Sequence, residues 1–351
     1  MTYVSGFVPS RSAPLFHNGP WPPGLDLRLS LGGLPAASVD VTQMGLCGGL
    51  SFLARDIHES GTPQLRSTDS RSIPVPLGRH VRRRLIDSFL GPGVIASWLR
   101  ATQEPDHAGW FWGKGLYAET VEAAHQVMRF VDAGGLVPIG VVLAQSPWPW
   151  DVFQNHVELV YGYDLVGTRL TLHVYDSNTE GSDHVVIELD IGSSAPVQPI
   201  TTNGTASTGR TGRIRGFFVL PYAHRDPSPA YLDDGRLTLD GAIPPALTVG
   251  DEVAVTVTVD NSGSTVFDPA TGYRIGIAAG AGWAPPRIAL PSTLDPGRTM
   301  TVPVILTAAS TDPGPPQLRL MREAGEGVAD AEAWFGTPTA PVGNPAAASV
   351  A

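Results

Sequence analysis

Apolar residues follow a helical repeat in the first part of the chain. In the stretch 43–58 (QMGLCGGLSFLARDIH), four of them recur at positions i, i+3, i+4 and i+7: Leu50, Leu53, Ala54 and Ile57. This spacing is that of one face of an amphipathic helix. It predicts a helix that begins at Cys47, and Gly45, Gly48 and Gly49 are expected to bring the backbone close to whatever lies at that end.

Two more helices are predicted before residue 135. The first covers 77–90, stops at Gly91-Pro92-Gly93 and resumes toward residue 99. The second has Thr120 as its N-cap and ends at Gly134. The loop between them is rich in aromatic residues. Three tryptophans are candidates for lining a substrate groove, with simple packing as the alternative role: Trp110, Trp112 and Trp148.

The pattern changes to that of strands after residue 135. Segment 136–144 (LVPIGVVLA) is almost wholly apolar, which is typical of a central strand buried on both faces. Segment 152–178 contains two strand-like runs around a turn near 165–167, and this arrangement predicts a hairpin. Further strands are predicted at 184–190 and 213–221.

Strict alternation of apolar and polar residues dominates the chain after residue 235. In 252–260 (EVAVTVTVD) valine recurs at every second position, and 299–307 (TMTVPVILT) repeats the alternation. Five shorter runs complete a set of about seven strands without a helix: 236–240, 273–278, 286–290, 317–322 and 329–335. This is the sequence pattern of an immunoglobulin-like (Ig-like) sandwich.

These patterns divide the chain into an α+β part followed by an all-β part. A stretch rich in proline and turn residues separates the two parts, and the last residues have few side chains able to pack. The predicted regions are an N-terminal extension packed on the first domain (1–39), the α+β domain (40–225), a linker (226–235), the β-sandwich (236–337) and a disordered tail (338–351).

Composition and charge limit the partners and the location that we expect. The net charge of −10 is spread evenly over 351 residues, which argues against nucleic acid or an anionic membrane as a partner. One basic cluster is expected to form a solvated helix face: Arg79, Arg82, Arg83 and Arg84. No apolar run is long enough to span a bilayer, and the N-terminus lacks the pattern of a secretory signal. We therefore expect a cytoplasmic location without membrane insertion, with export by another route as the alternative.

Cys47 is the only cysteine in the chain, so an internal disulfide is excluded. Its expected position at a helix N-terminus places unpaired backbone N–H groups and the positive end of the helix dipole beside the thiol, and both favour the thiolate. The alternative is that Cys47 is a small buried apolar residue, since free cysteines are often buried. Partner residues elsewhere in the chain decide between these roles.

The predicted hairpin supplies two such partners. If Asp164 pairs with Thr168 across a three-residue turn, His156 lies directly opposite Asp176. Facing residues in such a pair have Cβ atoms about 4.5–5.5 Å apart, within reach of an imidazole–carboxylate hydrogen bond. A register slip of one residue would put the two side chains on opposite faces. Asn178 shares the parity of Asp176 and is the alternative partner.

These three residues form a plausible set for nucleophilic catalysis. Cys47 is the candidate nucleophile, His156 the general base and Asp176 the carboxylate that orients the imidazole. The backbone N–H of Cys47 can stabilise an oxyanion, and such a site needs a second donor. Gln43, four residues upstream, is the candidate for that donor, and an ordinary solvated glutamine is the alternative.

The same residues carry a family resemblance. GLCGG opens a helix, Asn155-His156 enters a strand, and YD-x-N (Tyr175 to Asn178) ends the next strand. This order resembles the papain-like thiol peptidases across about 40–220, particularly the bacterial branch related to bacteriocin-leader processing peptidases, and the motif resembles uncharacterised bacterial proteins most closely. The resemblance implies a helical half headed by Cys47, a sheet half carrying the histidine and the acid, amide substrates and no metal cofactor. In papain-like enzymes the oxyanion glutamine usually lies five or six residues before the cysteine.

The second part of the chain resembles the Ig-like domain of selective autophagy receptors and of bacterial surface or enzyme-associated modules. Four short segments carry the resemblance: VDNSGSTVF (259–267), Tyr273-Arg274-Ile275, Asp295-Pro296-Gly297 and Trp334-Phe335-Gly336. They imply a fold and leave the function open. A protein or glycan partner is the expectation for this domain.

The leading hypothesis from the sequence is a cysteine-dependent amide hydrolase, a thiol peptidase acting on a peptide or protein without a cofactor. A thiol acyltransferase or deamidase that uses the same triad is one alternative. A non-catalytic binding or structural protein that retains the fold is another, and a buried Cys47 or a histidine beyond its reach would favour it.

Overall fold

The computed structural model divides the chain into two compact units. The first comprises Met1–Arg71 and Val75–Ala230, and the second comprises Tyr231–Ala351 together with Ser72–Pro74. The first mixes helices with an antiparallel sheet, and the second is built from strands. The structure describes residues 1–19, 28–30, 38–40, 45–65, 70, 73–91, 93–108, 113–192, 199–204, 212–279, 282–323 and 333–339.

The described residues of the first unit contain five helices. Their bounds are α1 (Pro9–Ser12), α2 (Cys47–Ser60), α3 (Val75–Leu90), α4 (Val94–Gln103) and α5 (Leu116–Asp132). Helix α2 begins at Cys47, as the apolar spacing predicts, and its four spaced apolar residues are buried. Helices α3 and α4 are separated at the predicted break, where Gly93 caps α4 with a φ of 78°.

Helix α5 begins five residues earlier than predicted, so Thr120 is not an N-cap. Its cap position is Gly115, and Thr120 lies inside the helix. The Thr120 hydroxyl donates to the carbonyl of Leu116 (2.9 Å) and accepts from the N–H of Phe217 (3.1 Å). A threonine that satisfies a buried strand N–H is compatible with a helix interior, which the local sequence does not reveal.

Two glycines of α2 allow this helix to pack closely against α3. A Cβ on Gly48 would lie 2.0 Å from Oγ of Ser88, and one on Gly49 would lie 2.5 Å from the carbonyl oxygen of Val81. Any larger residue at these positions would therefore force the two helices apart. The close backbone approach that the sequence predicts at this end of α2 is thus an approach to α3.

A seven-stranded antiparallel sheet forms the other half of the first unit. Its strands are β1 (Thr2–Tyr3), β4 (Val137–Val142), β5 (His156–Val166), β6 (Arg169–Tyr175), β7 (Val186–Asp190), β8 (Thr201–Thr202) and β9 (Gly216–Val219). They run in the order β8-β7-β6-β5-β4-β9, and β1 pairs with the far end of β5. Strand β4 is buried throughout and lies between two neighbours, as its apolar sequence predicts. A separate two-stranded sheet joins β2 (Arg28–Ser30) to β3 (Ser38–Asp40).

The hairpin of β5 and β6 exists, but its predicted register is wrong. Val166 pairs with Arg169 across a two-residue turn, and Asp164 pairs with Thr171 instead of Thr168. A bulge between Val160 and Gly162 then shifts the register by one, so that Leu159 pairs with Tyr175. Continued by one residue, this register places Asp176 opposite Glu158 instead of opposite His156.

The second unit contains two four-stranded antiparallel sheets among its described residues. One has the order β10 (Arg236–Asp240), β11 (Glu252–Asp260), β15 (Thr299–Ala308) and β13 (Trp283–Ala284). The other has the order β14 (Arg287–Ala289), β12 (Tyr273–Ala279), β16 (Gln317–Arg322) and β17 (Ala333–Phe335). The valines that alternate along β11 are buried in a core that also contains Phe267, Tyr273 and Phe335.

Two expectations about exposed segments need correction. Arg84 is only 1% exposed and forms ion pairs with Asp56 and Asp87, so the basic cluster is not simply a solvated face. Thr339 is buried and exchanges two hydrogen bonds with Leu318, so packed structure extends past residue 337. The rest of the predicted tail, 340–351, lies outside the described residues.

Candidate functional site

A hydrogen bond connects the N-terminal part of helix α2 to strand β5. Ser51 lies one turn after Cys47 on the same helix face, and its hydroxyl donates to the carbonyl of Val157 at 3.1 Å. Val157 follows His156 in β5. This buried hydrogen bond therefore fixes the face of the helix that carries the thiol against the strand that carries the imidazole.

His156 and Asp176 form a buried pair. Nε2 of His156 lies 2.8 Å from Oδ1 of Asp176, and each residue is 1% exposed. The two residues meet diagonally across the hairpin. The turn predicted from sequence gave the correct partner with the wrong register, because the true register differs by two residues at this end of the hairpin and a shift of two preserves the face.

Two further hydrogen bonds hold the Asp176 carboxylate. The backbone N–H of Asn178 donates to Oδ1 at 2.9 Å, and the Thr179 hydroxyl donates to Oδ2 at 3.2 Å. Asn178 thus assists the carboxylate through its backbone, whereas the sequence suggested its side chain as an alternative partner of the histidine. The carboxylate is oriented by a tight turn that directly follows β6.

The charges at the site favour a protonated imidazole. Burial alone would lower the pKa of His156, but the charges of Cys47 and Asp176 and the hydrogen bond to Asp176 raise this pKa well above its usual value. Nδ1 of the ring is buried and has no hydrogen-bond partner among the described residues. Because Nε2 is bound to Asp176, Nδ1 is the ring nitrogen left for the thiol.

Asn155 anchors the start of β5 next to the histidine. Its Oδ1 accepts from the N–H groups of Leu143 and Ala144 at 2.8 and 3.0 Å, and its Nδ2 donates to Oγ1 of Thr102 at 2.8 Å. The side chain is 2% exposed. These bonds tie the backbone beside His156 to the end of β4 and to α4, so they limit the movement of the imidazole.

Glu158 is a fourth polar residue at the site, and the sequence patterns did not identify it as a site residue. It lies two residues after His156 in β5, on the same strand face, and is 4% exposed. Burial and the charge of Asp176 raise the pKa of this carboxyl to about 8, against the opposing effect of His156. The signal in the sequence was a single acid within the apolar run HVELV, at the parity of the histidine.

His156, Glu158 and Asp176 have the ligand types of a metal site. Their nearest ligand atoms lie within 4.8 Å of one another. However, Nε2 and Oδ1 of the histidine–aspartate pair are only 2.8 Å apart. Two ligands of one tetrahedral ion, each at about 2.0–2.2 Å, are separated by about 3.3 Å or more. The pair therefore has the geometry of a hydrogen bond and would have to open to hold an ion.

The predicted oxyanion donor Gln43 lies outside the described residues, as do Trp110 and Trp112. Trp148 is described and is 57% exposed. A different amide, that of Asn18, packs against Gly45, where a Cβ would lie 2.4 Å from its Nδ2. The backbone N–H of Asn18 also donates to the carbonyl of Ser177 at 3.1 Å, beside Asp176. Asn18 therefore touches the segments that precede Cys47 and follow Asp176.

Comparisons with known proteins leave the family open. The sequence matches no protein-family model, and a search of curated proteins found no significant match. Among the described residues, no helix combines the length and apolar character needed to cross a bilayer. The functional argument therefore depends on the site geometry and on the resemblance of the sequence motifs.

Proposed function

We propose that this protein is a cysteine-dependent amide hydrolase, acting as a thiol peptidase on a peptide or protein. The observation that carries the proposal is the buried His156–Asp176 hydrogen bond of 2.8 Å, in a site where the charge of Cys47 contributes to the raised imidazole pKa. Cys47 is also the first residue of α2, where the helix dipole favours a thiolate. No metal takes part in the proposed reaction.

The residues would act in two chemical steps. The Cys47 thiolate attacks the amide carbonyl carbon, a C–S bond forms, and the charge on oxygen is stabilised by backbone N–H groups at the start of α2. The C–N bond then breaks as the imidazolium of His156 gives its proton to the leaving amine. In the second step, His156 takes a proton from water, the water oxygen attacks the thioester carbon, and the C–S bond breaks to release the acid and the Cys47 thiolate. Asp176 fixes the direction of the ring in both steps.

We further propose a papain-like fold for the first unit and an Ig-like fold for the second. Helix α2, headed by the nucleophile, and the antiparallel sheet that carries the base and the acid support the first assignment. Two four-stranded sheets around one core support the second. A docking role toward a protein or glycan partner is the function that we propose for the second unit.

The burial of Cys47 favours a second candidate, a non-catalytic protein that retains the fold. Cys47 is 4% exposed and His156 is 1% exposed, so a peptide carbonyl would need local opening to reach the thiol. The proximity of the imidazole argues in the opposite direction, because a thiol that only packs has no need of a charged base. Exposure and activation of the thiol therefore separate the two candidates.

Trapping of an acyl-enzyme tests the proposed chemistry. The intact protein would be mixed with a pool of short peptides, quenched in acid and weighed by mass spectrometry. We expect a peptide acyl group on Cys47 in the wild type and none in Cys47→Ala, with the adduct lost in water. Transfer of the acyl group to an added amine in preference to water would identify an acyltransferase. Absence of any adduct across the pool would support the non-catalytic candidate.

A further inference from the structure

Glu158 is the titratable group at the site that the proposed reaction does not use. Its carboxyl is almost completely buried, and its Oε2 has no hydrogen-bond partner among the described residues. The described residues also form no arginine or lysine ion pair with it. An ionised carboxylate in such a place would be an uncompensated buried charge, which proteins normally avoid by binding a proton.

The groups around Glu158 come from four elements. Asp176, at the end of β6, and His156, on the same strand, are the charged groups that act on it. Strand β4 places the apolar Ile139 opposite it, and the charge of Cys47, at the start of α2, acts on the same imidazole. Ligand atoms of the two carboxyls and the imidazole lie within 4.8 Å of one another. Two negative charges at this distance repel strongly, so one of the carboxyls holds a proton.

Hydrogen bonding decides which carboxyl is the neutral one. Asp176 accepts hydrogen bonds from the imidazole, from the N–H of Asn178 and from the hydroxyl of Thr179, and all three favour its charged form. Glu158 has none of these donors. The proton therefore belongs on Glu158, although the two carboxyls titrate as a coupled pair.

We propose that Glu158 is a positioning residue that must keep its proton, so that Asp176 remains the one charged acceptor behind the imidazole, and that ionisation of Glu158 sets an alkaline limit on the site. This inference rests on the proposed function of Cys47 and His156. Once ionised, Glu158 becomes a second acceptor for the Nε2–H group and competes with Asp176 for the ring. Its charge also strengthens the hold of the imidazolium on its proton, which slows proton delivery to a leaving amine.

Glu158→Gln separates the proton from the shape of the side chain, because an amide resembles the neutral acid and cannot ionise. The probe is alkylation of Cys47 by iodoacetamide as a function of pH in the intact protein. We expect wild type to show an inflection near the pH of about 8 at which Glu158 titrates. In Glu158→Gln this inflection disappears or moves up by at least about one pH unit. Glu158→Asp can still ionise and keeps an alkaline inflection.

Glu104→Gln is the matched control, because Glu104 is another fully buried glutamate of the first unit and its ion-pair partner is Arg100, at 3.6 Å. It should retain the wild-type inflection. Infrared spectra of protein labelled with ¹³C-glutamate provide a readout that does not depend on the thiol. Wild type should show a buried protonated carboxyl at neutral pH that Glu158→Gln lacks.

The outcomes distinguish this inference from the proposed function. If Cys47 is activated at neutral pH but the inflection is the same in wild type and Glu158→Gln, the role of Glu158 is wrong and the catalytic proposal stands. If the protonated carboxyl is missing from the wild-type spectrum, the inference also fails. If that carboxyl is present but Cys47 reacts as an ordinary thiol, the proton assignment is correct and the catalytic proposal fails.

Discussion

Among the described residues of the first unit, two histidines form a hydrogen bond with an aspartate that is buried from solvent, and the two pairs differ in their surroundings. In one pair, Nε2 of His80 lies 3.1 Å from Oδ2 of Asp56, and in the other, Nε2 of His156 lies 2.8 Å from Oδ1 of Asp176. Asp56 and Asp176 are both essentially inaccessible to solvent. Burial of the aspartate and contact with a histidine are therefore common to both pairs. The two pairs differ in the residues that surround them.

The Asp56 pair is neutralised by arginine. Nε and Nη2 of Arg84 lie 2.7 and 2.8 Å from the two oxygens of Asp56. The Tyr222 hydroxyl and the N–H of Arg225 donate to the same carboxylate at 2.7 and 3.1 Å. These contacts connect α2, α3 and the segment after β9. The residues around Asp56 therefore hold these segments together, and they compensate the negative charge of the Asp56 carboxylate.

The Asp176 pair instead adjoins groups that can exchange protons. Its histidine interacts with the Cys47 thiol, and its aspartate lies beside Glu158, a carboxyl with a raised pKa. Perturbed titratable groups concentrated beside a nucleophile are typical of functional sites. An aspartate–histidine pair also occurs in the structural network around Asp56. Under the proposed function, the groups that surround a pair, and not the pair itself, therefore distinguish the catalytic pair from the structural one.

The largest expected difference between the pairs concerns catalysis. Asp176→Asn should lower turnover of a cleavable peptide by roughly 10²- to 10⁴-fold, because the neutral amide no longer orients and stabilises the imidazolium. Asp56→Asn should leave turnover per folded molecule within a few-fold of wild type. Steady-state kinetics corrected for the folded fraction provide the measurement, and equal losses in the two variants would contradict the distinction.

The second difference concerns stability and has the opposite order. Asp56→Asn removes the fully buried one of the two carboxylates that pair with the Arg84 guanidinium and leaves the more exposed Asp87, so it should cost about 3–5 kcal/mol of unfolding free energy. Asp176→Asn should cost less, because the amide oxygen of asparagine can still accept the hydrogen bonds that Asn178 and Thr179 donate to the carboxylate. Urea denaturation of the two variants provides this comparison. Tyr222→Phe, which removes a single donor to Asp56, should cost about 1 kcal/mol.

The third effect is a dependence of stability on pH, which is small over any single pH unit. Folded Glu158 binds its proton up to a pH of about 8, whereas an unfolded glutamate loses it near 4.5. The stability that this proton provides is complete below the unfolded pKa and is lost as pH rises through the folded pKa. Glu158→Gln should therefore gain on wild type by about 1.4 kcal/mol per pH unit between these values. Denaturation of wild type and Glu158→Gln across this range should show this slope as a difference between the two proteins.

Much of the fold follows from apolar spacing, and the site follows only in part. The helix at Cys47, strand β4 and the alternating strands of the second unit have the predicted type and nearly the predicted bounds. In each of these elements the spacing of buried apolar residues recurs several times, so the pattern is easy to recognise. A short turn carries little such information, so the strand pattern predicts the hairpin but not its register.

The parts that sequence missed depend on contacts between distant segments. The bulge in β5 adjoins Gly162, which pairs with Tyr3 from the start of the chain. The burial of Arg84 depends on Asp56 in another helix. Glu158 gains its raised pKa from Asp176, which follows the next strand. These partners are all distant in the sequence. The alternation of side chains along the two strands was nevertheless sufficient to predict that His156 meets Asp176.

The most direct test of the account compares the two histidines through the single cysteine. Alkylation of Cys47 by iodoacetamide would be followed across pH in wild type, His156→Ala and His80→Ala. We expect Cys47 to be alkylated equally fast at neutral pH in wild type and His80→Ala, and much more slowly in His156→Ala, because the imidazolium is the proposed partner of the thiolate. Alkylation that is unchanged by the loss of His156 would contradict the proposed thiolate–imidazolium pair.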